Sequence, residues 1–325
     1  MRKTAGIVLA ASAVLLALSA CAPSGPGVIN TPEGPCRPVW QHGGLANDIA
    51  AAGDPDAELT VTFPTPLVSQ AQTYAAIVTG GPGRVVQPDD LVTGHITVVD
   101  AESGETMASA VPADQNGQPL YYAASDAEHP LFAAAACATV GSRVVAVGKA
   151  SDIIGAGLVS SWGIDADATL VAALDVDAAY PSRANGSPVP PQNGLPTVSY
   201  AADGRPGLSF TNAKPPTELR IEPLIAGGGE VVEDGDTLLV NYTGVDWATR
   251  EVFDSSWEKG LPATISTDQV VPGFAKAVIG QRVGSQVLVA IPPSEGYGDN
   301  PPSGLTKDST MVFVIDILGI VPAAQ

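Results

Sequence analysis

Apolar and polar positions alternate most clearly in the C-terminal part of the chain, where short runs recur between turn residues. Thr217 to Leu224 (TELRIEPL) has the two-residue period of a half-buried strand, and Thr237 to Val245 (TLLVNYTGV) is a second run bounded by glycine and aspartate. Glu251 to Trp257 (EVFDSSW) follows a turn, then Leu261 to Ser266 (LPATIS). Val283 to Ile291 and Thr310 to Ile320 (TMVFVIDILGI) complete the strands. One helical stretch is short: Val271-Pro272-Gly273-Phe274 opens it, it runs through Ile279, and Gly280 stands where a C′ glycine ends a helix. Many strands and one short helix predict an α+β domain whose antiparallel sheet buries its apolar face against that helix.

The N-terminal part carries a second β-rich segment, and the two read as copies. Asp90 aligns with Asp236, 146 residues later, and the same offset pairs Thr97 with Thr243, Asp100 with Asp246, Glu105 with Glu251 and Ser109 with Ser255. Val140-Gly141-Ser142-Arg143-Val144 matches Val283-Gly284-Ser285-Gln286-Val287 at an offset of 143, and Thr169 matches Thr310 at 141. Ordered matches whose offset falls steadily are the mark of a duplication with slightly longer loops in the first copy, hence tandem domains. Pro/Gly-rich stretches separate the pieces. The sequence therefore divides into residues 1–20, a tether over 21–44, a first domain over 45–179, a semi-extended linker over 180–199 and a second domain over 200–325.

The first twenty residues read as an address. Met1-Arg2-Lys3 is a positive n-region, Gly6 to Leu18 is apolar but too short to span a bilayer comfortably, and Leu18-Ser19-Ala20 leads into Cys21. The pattern resembles a bacterial lipoprotein signal, cleaved before Cys21 with lipid attached to that residue, which implies an extracytoplasmic, membrane-anchored protein. An ordinary secretory signal with a cysteine at the junction is the alternative. Either compartment permits disulfides, so Cys36 and Cys137 are read as a bridge in preference to two free buried thiols.

Composition narrows the function. The 325-residue chain has 15 basic against 34 acidic residues, a net charge of −19 that becomes −21 once Arg2 and Lys3 are removed. An acidic chain with no Lys/Arg cluster cannot neutralise phosphates, which excludes nucleic-acid partners. Three scattered histidines and three cysteines argue against a metal site. Gly155-Ala156-Gly157-Leu158-Val159-Ser160 is one glycine short of a dinucleotide fingerprint and is read as lacking a following helix, and no Gly-x-Ser-x-Gly elbow occurs.

The motifs of the second segment, Val240-Asn241-Tyr242-Thr243-Gly244, Phe253-Asp254-Ser255-Ser256, Val270-Val271-Pro272-Gly273-Phe274, Val283-Gly284 and Gly296-Tyr297-Gly298, occur in the order seen in FKBP-type peptidyl-prolyl isomerases. The strand Ser309 to Asp316 fits too, so the resemblance covers residues 217–321. It implies a half-open sheet wrapped on a helix, with an apolar hollow that takes a proline ring and needs no cofactor. Carried over by position, Tyr242, Phe253, Asp254 and Tyr297 are the catalytic candidates. Val270, Val271, Phe274, Leu305 and Phe313 would bind substrate, with Phe274 on the floor where many relatives have tryptophan. Ala263 and Thr306 replace a commonly aromatic and a commonly Pro position, which implies a shallower rim. The partners implied are proline-containing polypeptides and tacrolimus-like macrolides. Taken singly, Phe274 and Phe313 read as core residues, and Asp254 as a turn aspartate; their shared order carries the assignment.

At the offsets above, Tyr242 falls on Ile96, Phe253 on Met107, Asp254 on Ala108, Tyr297 on Ile154 and Phe313 on Ala172. The first copy is thus expected to keep the framework and lose every ring, acid and hydroxyl of the hollow. The competing reading of the whole chain is a non-catalytic chaperone or scaffold that uses these folds only to bind.

Overall fold

The computed structural model describes residues 29–31, 34–54, 59–69, 72–115, 117–190 and 194–321. Residues 1–20 and Cys21 lie outside them. No helix among the described residues is long and apolar enough to cross a membrane.

Strands dominate, in two seven-stranded sheets. The first contains β1 (Gln41–His42), β2 (Tyr74–Thr79), β3 (Leu91–Asp100), β4 (Thr106–Ala110), β5 (Tyr122–Ala123), β6 (Arg143–Lys149) and β7 (Thr169–Tyr180). Its order is β1-β2-β6-β7-β3-β4, with β5 also on β3. The second contains β8 (Ser187–Pro188), then, beyond a hairpin of β9 (Thr197–Tyr200) and β10 (Pro206–Ser209), β11 (Arg220–Ala226), β12 (Thr237–Asp246), β13 (Val252–Ser255), β14 (Ala263–Ser266), β15 (Gln286–Ile291) and β16 (Met311–Val321). Its order, β8-β11-β15-β16-β12-β13 with β14 on β12, repeats that of the first.

The repetition extends to register. Ile96 lies opposite Leu174 as Tyr242 lies opposite Ile315, and Arg143 opposite Asp175 as Gln286 opposite Asp316. A register shift after Val98 recurs after Gly244. Local hydrogen bonds repeat as well. Asp100 accepts the Glu102 and Ser103 N–H groups as Asp246 accepts those of Ala248 and Thr249, which fixes the tight turn after each long strand. Ser142 Oγ accepts the Gly81 N–H at 2.9 Å, and Ser285 Oγ accepts the Gly227 N–H at the same distance.

Each sheet packs its inner face on a short helical segment. In the second, Val240, Val287, Val289, Ile315 and Ile317 meet Phe274, Ala277 and Val278 of the helix Pro272–Val278. That helix starts with proline at its first turn, where a missing N–H costs nothing, and stops at Gly280 with φ +82°. Each fully buried Ile or Val there contributes about 1.5–3 kcal/mol. In the first, a 3₁₀ segment, Pro130–Ala135, takes the helix's place. The hairpin β9–β10 covers the outer face of the second sheet through Val198, Leu208, Trp247 and Leu288.

Two expectations are corrected. Residues 180–190, read as part of a semi-extended linker, are bound to the second sheet: β8 pairs with β11, Ala184 N–H donates to Asp316 at 3.0 Å, and the Asn241 amide donates to the Ser182 carbonyl at 2.9 Å. A proline-rich stretch without apolar period was captured by a sheet edge and a buried acid, neither visible locally. The end of the tether is also folded, since Cys36 is bonded to Cys137 (Cα–Cα 5.6 Å) and Gln41–His42 is an edge strand. The motif Gly155–Ser160 lies inside a helix, Gly155–Trp162, that ends at Gly163 with φ +68°.

The two halves share apolar surface. Leu91 and Tyr121 meet Leu239, Leu318 and Val321. The Tyr180 ring lies against Gly319, where a Cβ would come within 2.1 Å of it.

Candidate active site

The second sheet and its helix enclose a cavity of about 330 Å³, open at one end. Strand β12 contributes Tyr242, β13 contributes Phe253 and Asp254, and β16 contributes Phe313. Val270 and Val271 come from the segment that leads into the helix, Phe274 from its first turn, and Tyr297 from the loop after β15.

The aromatic wall is built edge to face. Phe313 stands 5.4 Å from Phe253 and 5.3 Å from Phe274, each pair near perpendicular, and Tyr242 closes the set 6.1 Å from Phe313. Such pairs contribute about 0.5–1.5 kcal/mol each beyond area burial and fix the rings in place. Gly244, opposite Phe313 on the neighbouring strand, makes room for them: a Cβ would sit 2.7 Å from Phe313 and 2.8 Å from Phe253.

One acid faces this apolar surface. Asp254 accepts the Tyr242 hydroxyl at 2.6 Å through one oxygen and pairs with Lys259 through the other. Burial pushes the Asp254 carboxyl up, but the hydrogen bonds from Lys259 and Tyr242 outweigh it and hold the group below its ordinary range. The Tyr242 hydroxyl is held protonated well above its usual value, by burial first and then by its bond to Asp254. Tyr297 is also raised, by burial and by the Asp254 charge, and is 43% exposed at the cavity mouth. The Val271 N–H makes no hydrogen bond to any described residue and stands at the N-terminus of the helix.

Of the nine substrate and catalytic candidates, the cavity brings eight together. Leu305 is the exception: its turn is closed by the Leu305 N–H to the Pro302 carbonyl, and it packs against the apolar cluster that includes Phe274 and Phe313 without lining the cavity. Two lining residues were missed, Ile265 and Gln269. Ile265 alternates like any core strand residue, and a lone loop glutamine carries no signal.

The equivalent place in the first sheet is filled. Tyr122 lies opposite Val92 as Ile265 lies opposite Leu238, and Phe132 follows Pro130 as Phe274 follows Pro272. Tyr122 is 7% exposed, stacks on Phe132 at 4.9 Å and is covered by His129 at 4.0 Å. The expectation that every ring is lost there is thus corrected. Phe132 persists, at an offset of 142 that the flanking matches skipped, and a tyrosine has entered the hollow.

Residues 228–318 match the family model of the FKBP-type peptidyl-prolyl cis-trans isomerases. An FK506-binding protein of Streptomyces anulatus is 33% identical over 120 residues, which are 36% of this chain and 97% of that protein. The chain belongs to the FKBP-type peptidyl-prolyl cis-trans isomerase family. Its enzyme class is that of the family. The peptidyl-prolyl cis-trans isomerase FkpA of Escherichia coli is 35% identical over 109 residues, 34% of this chain and 40% of FkpA. The FkpA crystal structure matches with a TM-score of 0.31 at 29% identity, covering 39% of this chain and 53% of that one.

Proposed function

We propose that the cavity of the second sheet catalyses cis–trans isomerisation of X–Pro bonds in exported polypeptides, with the chain anchored by lipid at Cys21 outside the cytoplasm. The first sheet is, on this reading, a degenerate FKBP-like domain without turnover. The single observation that carries the assignment is the geometry of the aromatic hollow with one ionised acid at its edge.

Rotating an imide bond costs about 18–20 kcal/mol because the planar form is resonance-stabilised with charge on oxygen and nitrogen. Twisting removes that resonance and makes the group less polar. An apolar cavity therefore favours the twisted form over the planar one, and the binding is differential in the sense that accelerates a reaction. Phe253, Phe274 and Phe313 surround the proline ring, and Val270 with Val271 close the side. The Val271 N–H and the Tyr297 hydroxyl donate to substrate carbonyls, while Asp254 orients the Tyr242 hydroxyl and faces the twisting group. No bond to carbon is made or broken. An acceleration of ~10⁶ requires about 8 kcal/mol, within reach of ring fit and a few hydrogen bonds.

The test is a protease-coupled isomerisation assay of an Xaa-Pro tetrapeptide with the full chain, with and without tacrolimus. Turnover that tacrolimus inhibits supports the reading and the macrolide site together. Absence of turnover from folded protein refutes it in favour of a binding-only chaperone or scaffold, which no observation here otherwise favours. Labelling of the membrane-associated protein with a palmitate analogue, lost in Cys21→Ala, tests the anchor.

A further inference from the structure

A second cavity, of about 670 Å³, opens beside the first, and Ile265 and Gln269 line both. Its walls come from the two halves of the chain. The second domain supplies Pro262 and all four residues of β14, Ala263 to Ser266, while the first supplies Gln118, Pro119, Leu120 and Tyr121. Successive strand residues point to opposite faces, so a cavity lined by all four is one that runs along the strand's edge. Among the described strands, β14 pairs with β12 alone, which leaves that edge without a ladder partner.

The first domain is held at this edge. Leu261, just before β14, packs against the core of the first sheet beside Leu120, rather than against its own. The lining suits a polypeptide backbone. Amide, hydroxyl and carboxyl groups of Gln118, Gln269, Thr264 and Asp114 line it beside Leu120 and Leu261, and an open strand edge supplies main-chain donors and acceptors.

We propose that residues flanking the substrate proline extend along the open edge of β14 into this cleft, so that the first domain forms the second wall of an extended client groove. The inference rests on the isomerase reading of the adjoining cavity. It gives the first domain a binding role although its own hollow is filled, and it predicts that longer clients are bound more tightly than short ones.

Exchange NMR on the full chain, with a tetrapeptide and a dodecapeptide sharing one central Xaa-Pro bond, tests it. The wild type should show a KM for the dodecapeptide lower by about tenfold, with kcat similar, since added contacts made equally in ground and transition states lower KM alone. Gln118→Trp, which fills the cleft from the first domain, should abolish that advantage and leave tetrapeptide turnover within about twofold. Gln118→Arg serves the same purpose should the tryptophan variant misfold. Equal KM values for both peptides, or an advantage that survives a folded Gln118 variant, overturn the groove while leaving the isomerase reading intact. Absence of wild-type turnover on the tetrapeptide overturns the isomerase reading, and the groove with it.

Discussion

Replacing Asp254 by asparagine keeps the shape of the cavity edge and removes its charge. In the structure the carboxylate accepts the Tyr242 hydroxyl at 2.6 Å and pairs with Lys259. Hydrogen bonds to a charged group are worth about 1.5–3 kcal/mol, and the partial exposure of Asp254 places this one at the low end. If Tyr242 and Asp254 act on the twisted imide as a unit, about 1.4 kcal/mol of that is lost from the transition state, a tenfold fall in kcat/KM. The assay is tetrapeptide isomerisation by the full chain, with circular dichroism to show that the variant folds. A pH series adds a second reading. The Asp254 carboxyl is held below its ordinary range, so it stays ionised from neutral pH into mild acid. Wild-type turnover should be flat there and fall only as pH drops through the lowered value, whereas Asp254→Asn should show no such limb. The same carboxylate contributes stability that is fully present above its unfolded value and is lost as pH falls through the folded one. A variant within twofold of wild type, or a wild-type limb near neutral pH, would refute the role given to this acid.

Gly244→Ala should force the Phe253 and Phe313 rings into the cavity, given Cβ contacts of 2.8 and 2.7 Å, with a stability loss of about 1–3 kcal/mol and a much larger relative loss of turnover; calorimetry and the peptide assay read the two effects. Cys36→Ser with Cys137→Ser opens a bridge of sequence separation 101, worth ~4.7 kcal/mol in the chain-entropy model. It should lower the melting of the first sheet while tetrapeptide turnover persists. Tyr180→Ala removes the ring packed on Gly319 and should increase proteolysis within residues 180–186, detectable by mass spectrometry of a limited digest.

The second sheet was legible because its signals are local. Alternation marked β11, runs bounded by turn residues marked β12 and β16, and Pro272 with Gly280 bracketed the helix. Its cavity lining was legible for another reason, the order of Tyr242, Phe253, Asp254, Phe274 and Tyr297 along the chain, since each residue alone has a structural explanation. What stayed hidden depends on partners distant in sequence. Ser187–Pro188 becomes a strand only because the edge of β11 is available, and Ala184 is fixed only by a buried Asp316. Tyr122 fills the first hollow through a strand two residues long, too short to leave a pattern. The adjoining cleft needs both halves, so no segment could reveal it.

The central claim is that the aromatic hollow of the second sheet is the site of turnover in the whole chain. It is tested most directly by isomerisation of one Xaa-Pro tetrapeptide by wild type and by folded Phe253→Ala, against an uncatalysed relaxation of ~10–100 s. The account predicts clear acceleration by the wild type and a loss of about a hundredfold or more when the ring that contacts Phe313 is removed. Wild-type relaxation at the uncatalysed rate, or undiminished turnover by Phe253→Ala, would contradict it.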